Sequence, residues 1–425
     1  MSKKINVDCG KSGIIEALPG FLKGKFSDAV MDLSPNPASE ILKYARSKHG
    51  GVDEAFIRLD QGESDRPTDK KICDAAKKAL DDGHTFYGLE SGRPKLRQAL
   101  STYHNRVFDQ RTYPGQVHLT MSGVAAVKTS LLSVLNEGDD LVVVTPIWKN
   151  LLNAAELRRA NIIQVPLDYD DEKCTWSLDM GKLSEAVTPR TRAIFVNSPS
   201  NPTGWMATQE EQKNILDLAQ KNGAWTIADE VYTRLVLDGE RAPSFLDIAK
   251  EEDLLLVVKS FSKSYAMTGW RMGWVVAPRA AEGMLEEVIR YENLCPQDFT
   301  QFGAIEALKS EHVIQEQLER WRKNRDLVVE RFERMDNVSM AYPESTFYGF
   351  FKVQGENDCV ALAKRLVDEA GVVLAPGRPF GKGGEGFLRL CFAKSEETII
   401  DALDRLENAP SMKAKAIIER GYDVS

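Results

Sequence analysis

Four short apolar runs, DLVVV (Asp140–Val144), RAIFV (Arg192–Val196), AWTIA (Ala224–Ala228) and DLLLVV (Asp253–Val258), are separated by longer stretches of helical period. That alternation is the pattern of β-α-β units around a mostly parallel sheet, since strands covered by helices on both faces are apolar throughout. Each run stops at a polar, Pro- or Gly-containing cluster: TPIWKN, NSPSNPTG, DEVY and KSFSKSY respectively. Parallel strands bring their carboxyl ends to one rim, so the four clusters are expected to face one crevice, where open α/β sheets take their ligands.

Between the runs, TQEEQKNILDLAQKNG (Thr208–Gly223) opens with Thr, has Glu three residues on and closes with Gly, which predicts a capped helix. A charged stretch from Ile314 to Met335 predicts a long helix bridging two lobes. After it, TFYGFFKV (Thr346–Val353), the helical DCVALAKRLVDEAG and the strand-like GFLRLCFA predict a small α+β lobe. The expected division is 1–55 as an arm and helix, 56–75 as the N-terminal part of a small domain, 76–313 as a large ligand-binding domain, and 314–425 as an interdomain helix with the C-terminal small domain.

A formal net charge of −8 argues against a nucleic-acid partner, and the five lysines against two acids before residue 27 are only a mild local bias. No apolar run approaches the roughly 18 residues of a membrane span. Six scattered cysteines, with no pair at metal-ligand or redox spacing, predict free thiols, no metal and a cytoplasmic location.

The cluster after the last run extends to SFSKSYAMTGWRMGW (Ser260–Trp274). Ser260, Ser262 and Arg271 bring hydroxyls and a guanidinium to one strand end, a set that suits a phosphate dianion. Lys263, beside these groups and partly desolvated, would lose proton affinity and become a usable nucleophilic amine. In TMSGVAAVKTSLLSVLNEGDDL the Ser-Gly turn predicts a helix start at which the N–H groups of Ser122, Gly123 and Val124 form an anion site, worth about 1 kcal/mol from the helix dipole. Arg389, between apolar neighbours in GFLRLCFA, is costly unless paired with a carboxylate, structural or substrate.

SFSKSYAMTGWRMGW closely resembles the cofactor-attachment segment of the fold-type I, pyridoxal-phosphate-dependent aminotransferases of class I/II, similar to aspartate aminotransferase. The resemblance runs from about Phe56 to Leu406. It implies that Lys263 holds pyridoxal 5′-phosphate as an internal aldimine, with Ser260, Ser262, Arg271 and the Ser122–Val124 turn on the phosphate. Asp229, 34 residues before Lys263, would hold the pyridine nitrogen protonated. Tyr232 and Asn201 would donate to the ring 3-oxygen from opposite sides, and Trp148 would stack on the ring face. Tyr87, in HTFYGLESGRPKLRQAL, resembles the tyrosine that reaches the phosphate in a neighbouring subunit, which implies a homodimer with shared active sites. Gly62, Trp148, Asn201 and Arg389 would meet the substrate, Arg389 as a bidentate fork on its α-carboxylate.

The implied activity is transfer of an amino group from an L-amino acid to a 2-oxo acid by a ping-pong mechanism, in amino acid metabolism. A rival on the same scaffold is β- or γ-elimination or replacement, on a specialised amino acid or S-adenosylmethionine. A cofactor-binding transcription regulator would require a basic DNA-binding module ahead of the core, for which the first ~55 residues are too short. The chain departs from the family where GESDR has Ser64 in place of a common proline and adds Arg66 at the pocket entrance. Val124 also occupies a position where some relatives specific for acidic substrates have lysine, so the resemblance does not imply dicarboxylate selectivity.

Overall fold

Val117–Thr120 (β1), Asp140–Thr145 (β2), Asn161–Pro166 (β3), Thr191–Asn197 (β4), Trp225–Asp229 (β5), Leu255–Ser260 (β6) and Gly273–Val276 (β7) pair in the order β1-β7-β6-β5-β4-β2-β3. Only β7 runs antiparallel to its neighbours. This is a computed structural model, and it describes residues 19–22, 24–33, 37–48, 51–52, 55–108 and 111–413. The four apolar runs became β2, β4, β5 and β6, and every residue of β2 and β6 is buried. The expected α/β fold with a mostly parallel sheet is therefore present. Much of the first 50 residues and the last part of the tail lie outside the described residues.

The chain visits β2 and β3, then returns beside β2 with β4 and continues to β5 and β6, so strand order reverses between β2 and β4. Such a reversal leaves a crevice at the carboxyl ends, because the connections on either side leave in opposite directions. Asn197 is in register with Asp229, and Ser260 with Gly273, so the polar clusters stand along one rim. Beneath it, Lys259 of β6 meets Glu230, just past β5, at 2.8 Å with both side chains buried. Glu230 also accepts from Ser244 Oγ and the Phe245 N–H, so its burial is compensated on both oxygens.

Three helices matter for the site. Gly123–Val134 (α1) starts at Ser122, whose Oγ accepts from the Ala125 N–H at 3.0 Å. Gln209–Lys221 (α2) has the expected capping box of Thr208 and Glu211, with Gly223 at φ +63° after its end. Glu311–Glu333 (α3) is the expected long helix, beginning slightly earlier than Ile314 and ending before Met335. Its Ile314, Leu318, Trp321, Arg325, Val328 and Phe332 recur every three or four residues and are all buried. Along that buried stripe, Gln317 Nε2 donates to Ser264 O at 2.8 Å, and Asn324 Nδ2 donates to Phe392 O and Lys394 O, both at 2.8 Å.

A second, antiparallel sheet joins Val338–Met340 (β8), Tyr348–Val353 (β9), Ala375–Pro376 (β10) and Phe387–Cys391 (β11) in the order β8-β9-β11-β10. The helix Cys359–Ala370 packs with it, capped by Asp358 and closed by Gly371 at φ +63°. β9 begins two residues later than the TFYGFFKV pattern predicts, because Thr346 takes φ +63°, a conformation outside any strand. Among the described residues no helix is long and apolar enough to cross a membrane, and five cysteines are free.

Candidate active site

A cavity of about 420 Å³ opens at the rim between the two sheets. Its floor is built by strand ends: Asn197 closes β4, Asp229 closes β5, and Ser260 closes β6 with Ser262 and Lys263 beyond it. One wall is the start of α1, Gly123 and Val124, with Arg271 beside it. Trp148, past β2, stands opposite, and Asn201 and Tyr232 come from the loops after β4 and β5. Gly62, Tyr348 and Arg389 close the cavity from the side of the second sheet. Twelve of the fourteen residues expected at the site from sequence thus line one cavity.

The anion end is made of donors. Ser260 Oγ bonds Ser262 Oγ at 3.0 Å, Arg271 has φ +54°, and Ser122 has φ +134°, so non-glycine residues in unfavourable backbone flank the α1 start. β7 must approach closely here: a Cβ on Gly273 would lie 2.6 Å from the Gly123 nitrogen. The Ser122 hydroxyl caps α1, because a helix start leaves its first N–H groups in need of a partner, and of the three residues whose N–H groups were expected to form the anion site Gly123 and Val124 line the cavity while Ser122 does not.

Charge in the floor is shaped by burial. Asp229 is buried, and desolvation pushes its carboxyl up to about 7 despite the Val231 N–H on Oδ1. Burial likewise lowers the Lys263 amine to about 8, with Arg389 and Arg271 adding to the effect and Cys391 and Glu63 opposing it. Lys263 Nζ donates to the carbonyl of Gly62 at 2.5 Å. Arg389 donates through NH1 to Asn201 Oδ1 at 2.6 Å and through NH2 to Asp60 O, while its buried Nε has no partner. Among the described residues no carboxylate pairs with this guanidinium.

Tyr87 does not join the cavity of its own chain: it is 85% exposed, next to Phe86 at 84%. Sequence reasoning missed Tyr348, Asn197, Glu63 and Thr268. Asn197 orients the next residue of the set, its Oδ1 accepting from the Asn201 N–H at 2.8 Å and its Nδ2 bonding Asp229 O at 2.9 Å. Glu63 accepts from Gln61 Nε2 at 2.8 Å and from Thr268 Oγ1, which fixes the loop carrying Gly62. A polar residue closing an otherwise apolar strand, as Asn197 does, was the available signal.

The chain matches the family described as aminotransferase class I and II over residues 54–406. It belongs to the class I and II aminotransferases. The aminotransferase is 32% identical to an aspartate aminotransferase of Pyrococcus horikoshii over 360 residues, covering 84% of this chain and 91% of that one. It is 30% identical to aromatic-amino-acid aminotransferase 2 of Thermococcus litoralis over 403 residues, covering 92% and 99% of the two chains. Among solved structures, it is similar to an aspartate aminotransferase from Thermotoga maritima, with a TM-score of 0.83, 29% identity and coverage of 90% and 99%. The aminotransferase therefore has the fold-type I architecture, uses pyridoxal phosphate and transfers an amino group between an amino acid and a 2-oxo acid; the elimination and replacement reading is not favoured. Its residues fit that cofactor: a guanidinium, two hydroxyls and helix-start N–H groups that can donate to a dianion line one cavity with a buried carboxylate and a lysine of lowered proton affinity.

Proposed function

We propose that this cavity is the active site and that Lys263 is the residue that bonds the cofactor and moves the proton. The observation that carries the reading is the placement of a desolvated Lys263 amine between the anion cradle on one side and Arg389 on the other. Bound pyridoxal phosphate supplies an aldehyde that takes up the amino group and a ring that withdraws electrons from the substrate's α-carbon. Ser260, Ser262, Arg271 and the N–H groups at the start of α1 hold its phosphate. Asp229 holds the ring nitrogen, Tyr232 and Asn201 donate to the 3-oxygen, and Trp148 covers one face. Arg389 grips the α-carboxylate, its NH1 bond to Asn201 keeping the fork aimed into the cavity. With the cofactor bound, the Lys263 amine would hold and move the proton at the substrate's α-carbon, which requires an amine of depressed pKa. The first 2-oxo acid would leave before the second enters the same cavity, so the kinetics would be ping-pong.

Reduction of the holoenzyme with borohydride, followed by peptide mapping, tests the assignment. The cofactor should be found on the peptide that contains Lys263; recovery on any other lysine overturns it.

The functional unit we propose is a homodimer in which Tyr87 completes the neighbouring subunit's phosphate cradle. Support comes from its exposure together with Phe86, at 85% and 84%, a large aromatic surface for a single chain to leave in water. Tyr87→Phe should weaken cofactor binding by about one to two orders of magnitude, the worth of one hydrogen bond to a charged group. Equilibrium dialysis of the dimer against the cofactor reads this directly, and an unchanged constant refutes the shared site.

A further inference from the structure

Tyr348, on β9, touches three groups of the site at once. Its hydroxyl lies 2.8 Å from the hydroxyl of Tyr232. Its ring lies under the Arg389 guanidinium, 4.4 Å from guanidinium carbon to ring centroid. Gly62 sits against its phenol oxygen so closely that an added Cβ would stand 1.9 Å from it. Tyr348 is 1% exposed and Phe347, Phe350 and Phe351 lie within three residues of it, so a hydroxyl here has been buried among apolar groups at a cost that its hydrogen bond must offset.

Burial drives both phenols upward, Tyr348 to about 12 and Tyr232 well above its ordinary value, so both stay protonated through the working range. Two neutral phenols in contact share one donor: one O–H points at the other oxygen, and the remaining O–H is free to donate elsewhere. Tyr232 faces the cavity beside Asp229, so the arrangement that leaves its O–H directed into the cavity has Tyr348 donating to Tyr232. A hydroxyl that accepts a hydrogen bond becomes a better donor, as chains of such bonds polarise one another. The same ring lies 4.4 Å from the Arg389 guanidinium carbon and the Phe380 ring 5.1 Å from it, so rings seat the guanidinium while its N–H edge stays free for a carboxylate in its plane.

We propose that Tyr348 is a positioning residue that couples the two ends of the site: its hydroxyl aligns and polarises Tyr232, and its ring seats Arg389. The inference rests on the assignment of Tyr232 and Arg389 above. It divides the residue into two separable parts. The oxygen acts on the cofactor's 3-oxygen through Tyr232, and the ring acts on substrate carboxylates through Arg389.

Tyr348→Phe removes the oxygen and keeps the ring. In that holoenzyme, the pH midpoint of the bound cofactor's visible absorbance should rise, because a weaker donor at Tyr232 leaves the 3-oxygen more basic; kcat should fall about tenfold, one net hydrogen bond's worth, at nearly unchanged KM. In a Tyr232→Phe background the same substitution should move the midpoint no further, since the path runs through Tyr232. Tyr348→Leu removes the ring as well, and should additionally weaken inhibition by succinate and 3-phenylpropionate about tenfold, the loss of a desolvated cation–ring contact. A wild-type midpoint in Tyr348→Phe, or effects of Tyr232→Phe and Tyr348→Phe that simply add, overturn the coupling while leaving Tyr232's own role intact. A wild-type midpoint in Tyr232→Phe would instead remove the assignment on which the inference rests. Should Tyr348→Leu not fold, the Phe variant and the double-mutant comparison decide the matter alone.

Discussion

Replacing Lys263 with alanine is expected to lower kcat by about four orders of magnitude or more, since it removes the covalent anchor and a positioned acid/base whose typical worth alone is 10²–10⁴-fold. The cradle of Ser260, Ser262 and Arg271 survives the change, so the variant should still bind the cofactor without bonding it. Borohydride treatment should then fix no cofactor on the protein. Lys263→Arg is a sharper comparison. It keeps a cation at the same place but offers no nucleophilic amine, and should be as inactive as the alanine variant. A lysine acting only as a charge would be rescued by arginine, and rescue would remove Lys263 from its assigned role.

Asp229→Asn should lower kcat by about 10³-fold, the scale on which a preorganised electrostatic partner acts in a closed site. Asparagine keeps the shape and one lone-pair acceptor but gives up the charge that keeps the ring nitrogen protonated. The same residue has a signature in the cofactor-free protein. Its folded carboxyl titrates near 7, above the ordinary value of 3.8, so the native state holds a proton that the unfolded chain has already released between those limits. A raised folded pKa gives a stabilising contribution that is complete below about 4 and lost as pH rises through about 7. Unfolding in urea should show wild type losing up to about 4 kcal/mol relative to Asp229→Asn over that window, at about 1.4 kcal/mol per unit. A constant difference between the two proteins from pH 4 to pH 8 would show that Asp229 is not the buried acid described.

The reasons some of this was legible in sequence and some was not are physical. Asp229 ends one mainly apolar strand and Lys263 follows another, so the pattern of runs and polar clusters puts them on one rim of one sheet. The three-dimensional relation was in effect one-dimensional. Arg389 was found because a guanidinium inside an apolar strand has to be answered by something. Tyr348 is a different case, since β9 belongs to the second sheet and nothing in TFYGFFKV says which loop of the first sheet will face it. The lone hydroxyl among phenylalanines was the clue, and its partner Tyr232 lies 116 residues away. Ser122 shows the opposite failure. Its position at the α1 start was read correctly, but the reading concerned only its N–H group and passed over the hydroxyl, which caps the helix. Tyr87 was assigned outward from the beginning, and within one chain it does point outward.

Helix α3 has a bearing on how such an enzyme can change. One buried stripe of it grips Ser264, next to Lys263, and Phe392, three residues past Arg389. The spacing between the Lys263 amine and Arg389 is thereby tied to the core through α3, and both side chains also bond the backbone of residues 60–62. A change in residues 60–62 would therefore be felt at the amine and at the guanidinium together, whereas α3 holds the backbone on which both are mounted.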